Sequence, residues 1–147
     1  MIKSLLKNCK FERLKASQSA GTTVVTSDVL DMAGFESVLI KVILGTVTEG
    51  GSCTVKVQGC DTSGGTYVDL EGTSIQNTGS SDSDNYMLVE IINSKYRYLK
   101  VVATRADANV EIDSIDAIQF GAKALPVSQG SDVDVSEQHA TPDEGTA

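Results

Sequence analysis

The feature that most constrains the fold is the alternation in Cys53-Thr-Val-Lys-Val-Gln58. Cys53, Val55 and Val57 fall on one side, and Thr54, Lys56 and Gln58 on the other, which is the period of a half-buried strand. The same reading extends over most of the chain. Ser37–Leu44 puts Val38, Ile40, Val42 and Leu44 on one face, and Leu39 and Ile43 around Lys41 on the other. A strand apolar on both faces belongs in the middle of a sheet that is covered on both sides. Thr22–Thr26 is β-branched, Tyr67–Leu70 is a short strand, and Met87–Ile92 directs Met87, Val89 and Ile91 one way. In Tyr96–Thr104 two faces compete, Leu99, Val101 and Ala103 against Tyr96, Tyr98 and Val102. In the last strand, Val110–Phe120, the residues Val110, Ile112, Ile118 and Phe120 share a phase that Ser114 and Asp116 interrupt. Ile115 lies opposite, so a bulge or a change of sheet is expected there.

The connections are rich in turn residues: Glu49-Gly-Gly51, Asp61-Thr-Ser-Gly-Gly65, and a long polar loop from Gly72 to Asn85 in which only Ile75 is apolar. Some seven short strands, spaced about 8–15 residues apart with no helical periodicity between them, predict an all-β fold. Its expected form is an antiparallel β-sandwich, jelly-roll-like or alternatively immunoglobulin-like, with extended N- and C-terminal arms. At 147 residues the chain is long enough to bury a core without metals or disulfides.

Charge divides the chain. The net charge is −8, yet residues 1–15 carry five basic side chains against one acidic, and residues 126–147 carry five acidic and no basic ones. This predicts a basic arm over residues 1–20, a sandwich over 21–125 and an acidic tail over 126–147. The tail is poor in apolar residues and should be disordered unless a surface holds it. An acidic chain of this kind is not expected to coat nucleic acid, which calls for a basic face. No apolar run approaches the roughly 20 residues of a membrane helix, so no membrane partner is expected. The first residues lack the apolar stretch of a secretory leader.

Chemistry has little purchase in the sequence. Cys9, Cys53 and Cys60 have no metal-ligand spacing, and the only histidine is His139, so three reduced thiols are expected; a Cys53–Cys60 bridge would need a hairpin to join them. His139 with Asp134 and Ser136 can be written as a triad, but a polar tail supplies no scaffold for one. Asp113 with Asp116, or Asp82 with Asp84, read as solvated carboxylates rather than an acid–base pair. Asp82-Ser-Asp-Asn85 lacks the spacing of a calcium loop, and no phosphate-cradling glycine motif occurs. No catalytic, cofactor-binding or metal site is expected, nor any cofactor, and the chain is not read as an enzyme. A glycan-binding module would draw on Tyr67, Tyr86, Tyr96 and Tyr98, since tryptophan is absent.

Four stretches carry a resemblance. They are Asp31-Met-Ala-Gly-Phe-Glu-Ser-Val-Leu-Ile-Lys-Val-Ile-Leu-Gly45, Val55-Lys-Val-Gln-Gly-Cys-Asp-Thr-Ser-Gly-Gly-Thr-Tyr-Val-Asp-Leu70, Lys95-Tyr-Arg-Tyr-Leu-Lys-Val-Val-Ala-Thr104 and Ala117-Ile-Gln-Phe-Gly-Ala-Lys-Ala-Leu-Pro-Val127. In this order, over about residues 28–127, the chain resembles the capsid decoration or cement proteins of tailed bacteriophages. The second stretch has Tyr67 where such hairpins often carry tryptophan. The resemblance implies a non-enzymatic structural protein, made in the host cytoplasm and placed on the outer capsid surface of the virion. There it would bridge and stabilise subunits of the major capsid protein, as a dimeric or trimeric homo-oligomer. Ile2, Leu5, Leu6, Phe11 and Arg13 of the first arm, with Leu125 and Val127 of the exit segment, are the expected partner contacts. The alternatives are a virion-surface carbohydrate- or host-binding module and a head-fibre or tail component.

Overall fold

The computed structural model describes residues 4–77, 79, 82–140 and 144–146. After a single helical turn, α1 (Leu5–Asn8), eleven strands follow: β1 (Lys10–Lys15), β2 (Gln18–Gly21), β3 (Val24–Thr26), β4 (Leu30–Asp31), β5 (Ser37–Val47), β6 (Ser52–Cys60), β7 (Val68–Asp69), β8 (Ile75–Gln76), β9 (Tyr86–Ile91), β10 (Tyr98–Ala106) and β11 (Val110–Phe120). They form two antiparallel sheets packed face to face. Sheet I runs β1-β11-β5-β9, with β2 also on β11; sheet II runs β3-β10-β6-β7, with β4 on β10 and β8 on β6. The protein is therefore an antiparallel β-sandwich.

The core lies between the sheets, where the alternating residues predict it. Val38, Ile40, Val42 and Leu44 of β5 meet Cys53, Val55 and Val57 of β6, all fully buried. β5 is central in sheet I, between β11 and β9, while its outer residues Leu39, Lys41 and Ile43 are half-buried. In β10 the competition between faces goes to Leu99, Val101 and Ala103, with Tyr96 packed at the margin. Tyr96 lies over Gly59, where any Cβ would sit 2.6 Å from its ring, so a glycine is required at that crossing.

The last strand departs from the expected phase. Val110 and Ile112 face inward, but Ile115, Ala117 and Gln119 continue the buried face, and Ile118 and Phe120 lie half-buried on the outer side. The register explains this. Ile112 pairs with Leu44 and Ser114 with Ile43, so β11 advances two residues against one of β5. The extra residue is a β-bulge that exchanges the faces beyond it. The interruption is thus a bulge within one sheet, not a change of sheets.

The first arm also departs from expectation. Residues 10–15, assigned above to an arm outside the sandwich, form the edge strand β1, paired with β11 from Lys10↔Gln119 to Lys15↔Ile115. Residues 18–21 pair with β11 as well, and Leu14 is buried in the core. A positive charge count marked this segment as separate, but its backbone pairs with β11 along its length and Leu14 enters the core beyond a register shift after Arg13. Among the described residues, Ser4, α1 and Cys9 precede the sandwich.

The two outer cysteines of the middle of the chain do not meet in a hairpin. Cys53 and Cys60 lie next to the start and at the end of the same strand, seven residues apart and on opposite faces, and all three cysteines are free. Burial pushes the Cys53 thiol up to about 11, against a smaller opposite effect of the Arg105 charge.

Candidate interaction surface

Of the sites expected for partner contact, Leu6, Phe11, Arg13 and Val127 lie along the outer edge of β1, where the exit segment returns to the first described residues. The exit segment after β11 runs back along α1 and β1. The Val127 N–H donates to the Lys7 carbonyl at 2.9 Å. The Gln129 side chain then takes over. Its Nε2 donates to the carbonyls of Leu6 and Cys9, both at 2.8 Å, and its Oε1 accepts the Phe11 N–H at 3.0 Å. Asp132 Oδ2 accepts the Arg13 N–H at 3.4 Å. An edge strand presents a row of unpaired peptide groups, and these side chains occupy that row.

The start of the tail is therefore held by the chain's own first strand. Its acidic composition predicts disorder without a partner surface, and that surface turns out to be intramolecular. Opposite charge contributes little to the docking. Among the described residues the ion pairs are Lys10–Glu12, Lys56–Asp69, Arg97–Asp31 and His139–Glu137, and none joins head to tail. The contacts are backbone and amide hydrogen bonds. Burial also pushes the Cys9 thiol, at the start of this edge, above its usual range.

The expected contact residues fall into three groups. Leu6, Phe11 and Val127 are half-buried within the junction, and Arg13 is exposed with its backbone bound to Asp132. Leu5 and Leu125 are each 60% exposed, apolar side chains left in solvent beside the junction. Ile2 lies outside the described residues. Gln129 was not legible as important. It is one polar residue among many in a polar tail, and only its position opposite β1 gives it three partners.

Outside the junction, the outer face of sheet I is mixed. Phe11, Ile118 and Leu39 form one cross-strand row, and Arg13, Asp116 and Lys41 the next, with charges alternating in sign. Val133 and Asp132 of the tail border the cleft beside these rows. The outer face of sheet II carries Thr54, Lys56 and Gln58, as the alternation predicts.

Elsewhere, two polar clusters bond to the chain's own backbone. Arg105, only 6% exposed, points into the end of the sandwich, where its guanidinium donates to the carbonyls of Ser19 (2.7 Å), Val110 (2.8 Å) and Thr23 (3.0 Å) and to the Thr23 hydroxyl (3.0 Å). It ties β10 of sheet II to β2 and β11 of sheet I. A cleft of about 410 Å³ is lined by Gln76, Asn77, Asp82 and Asn85 together with Leu44, Tyr86 and Met87. Several of its groups are engaged in shaping the loop: Asn77 Oδ1 accepts the Cys53 N–H at 2.6 Å, and Asp82 Oδ2 accepts the Gly79 N–H at 2.7 Å. Three tyrosine rings each carry a cation on one face: Lys41 on Tyr86 at 4.2 Å, Lys100 on Tyr67 at 4.3 Å and Arg97 on Tyr98 at 5.0 Å. Among the described residues no group of three or more His, Cys, Asp and Glu side chains is placed to hold a metal ion. His139 contacts Glu137 in the exposed tail, at 2.8 Å.

A scan of the sequence against protein-family models finds no match, and a search of curated proteins finds none either.

Proposed function

We propose that this protein is a non-enzymatic structural component of a phage virion, a decoration or cement protein that binds the outer capsid surface and bridges subunits of the major capsid protein. The observation that carries this reading is the junction of the chain ends. A sandwich stiffened by two packed sheets presents the exposed Leu5 and Leu125 on segments fixed to one another through Val127 and Gln129. Exposed apolar side chains on a rigid frame are suited to docking with little ordering cost. Weak docking repeated around a shell gains strength by multivalency. The sequence resemblance described above points to the same role.

The junction changes how bridging would work. The described head and the start of the tail lie along one edge, so a single chain offers one contact region there. Bridging then falls to the exposed tail beyond Val133 or to association between copies. Co-sedimentation of the full chain with capsids tests the proposal. The wild type should pellet with capsids, and a Leu5→Ser/Leu125→Ser variant, altered only at exposed positions, should lose occupancy. A wild-type protein that stays in the supernatant with intact capsids would refute the reading.

A further inference from the structure

The two edges of sheet I are treated differently. The β1 edge is closed by Gln129 and Asp132, whereas no described residue closes the β9 edge. The outermost strands of sheet II, β3, β4, β7 and β8, are two or three residues long and offer little to pair with. β9 has six residues, Tyr-Met-Leu-Val-Glu-Ile, with no proline or lysine, and Tyr86 and Leu88 are 57% and 50% exposed. Natural edge strands of this length are ordinarily blunted.

We infer that β9 is the homodimer interface, pairing antiparallel with β9 of a second copy across a two-fold axis at Leu88. The register fixes which peptide groups of β9 are free for a partner strand. The Leu44 N–H donates to the Asn85 carbonyl, and Val42↔Met87 and Ile40↔Val89 continue that phase. The peptide groups of Tyr86, Leu88 and Glu90 therefore point away from β5, toward the open edge. Under a two-fold axis at Leu88 these groups face each other: Leu88 meets Leu88 of the second copy, and Tyr86 meets its Glu90.

The side chains agree with this register. On the outer face leucine opposes leucine, and on the inner face Met87 opposes Val89. Glu90 is the only charged residue of the strand and does not oppose itself. Instead it approaches Tyr86 of the second copy, whose ring carries the Lys41 ammonium at 4.2 Å. Cross-strand pairs of apolar residues and of opposite charges are the stabilising ones, and like charges directly opposed are avoided. The interface is isologous, as closed dimers require. It needs no capsid, so it can fail or stand independently of the proposed virion role, for which it would supply the bridging that one junction lacks.

Sedimentation velocity of the full chain without capsids tests the pairing. The wild type should reach twice the 15.5 kDa of one chain at tens of micromolar. Leu88→Lys, at a half-exposed position, sets two lysines against each other on the axis and should weaken the dimer by more than about tenfold. Circular dichroism should show the same fold for the variant. Independently, Leu88→Cys in a Cys60→Ser background should form an intermolecular disulfide on mild oxidation, since directly paired strand residues lie within bridging distance. A monomeric wild type, a trimer, a dimer indifferent to Leu88→Lys, or no cross-link would each overturn the inference.

Discussion

The side-chain amide of Gln129 pairs with the backbone around Phe11 as a peptide of a neighbouring strand would. It accepts the Phe11 N–H at 3.0 Å and donates to the Cys9 carbonyl at 2.8 Å, so one side chain closes an edge that a further strand would otherwise close. A second bond from the same nitrogen, to the Leu6 carbonyl, fixes α1 as well.

Gln129→Ala should release this strap while leaving the sandwich folded. A net cost of about 1–2 kcal/mol is expected, since single hydrogen bonds contribute modestly and the freed backbone groups can reach water. Amide exchange at Phe11 and Arg13 should accelerate, and proteolysis within residues 127–133 should become easier. Because no ion pair among the described residues joins head to tail, raising the salt concentration in the wild type should change neither rate appreciably.

Arg105→Leu should be among the most damaging substitutions outside the apolar core. It leaves the carbonyls of Ser19, Thr23 and Val110 without their shared donor at the end of the sandwich. A loss of about 3 kcal/mol is expected, read as a lower urea midpoint with an unchanged slope. Arg105→Lys keeps the charge but not the planar fork, and should recover only part of the loss.

The thiols should react in order of exposure. Cys60 is half-exposed, whereas Cys53 is fully buried and held up to about 11, so little of it is thiolate near neutral pH. Mass spectrometry after a short alkylation of the native protein should find one label, on Cys60, and three labels after denaturation. Rapid native labelling of Cys53 would contradict its place between the sheets.

Asp31 gives stability a defined pH dependence. The hydrogen-bonded Arg97 guanidinium, at 3.1 Å, outweighs a partial desolvation and holds the Asp31 carboxyl below its ordinary value. A carboxyl lowered in the folded state stabilises fully above its unfolded pKa, near about 4, and loses that contribution as the pH falls through the folded value. Asp31→Asn should therefore melt below the wild type near neutral pH. The gap in Tm should close under acid; a gap independent of pH would mean the Arg97 pair contributes nothing.

Much of the fold was legible in the sequence because a strand's burial depends on its own alternation. Val38 to Leu44 and Cys53 to Val57 specify inner and outer faces without reference to any neighbour. Where two faces were balanced, as in β10, the outcome depended on which residues β6 presented opposite them. Where the backbone slipped, as at the bulge before Ile115, alternation misassigned Ile118 and Phe120 because the extra residue is visible only against β5.

The candidate surface divides in the same way. The sequence by itself determined a two-faced, all-β chain with charged ends, because composition and period-two patterning are local properties. Only the tertiary structure decided that residues 10–15 are an edge strand, that Gln129 closes that edge, that Arg105 joins the sheets and that no described residue closes the β9 edge. Each of these depends on which peptide groups find partners across distances of up to a hundred residues and more along the chain, and no local pattern records that.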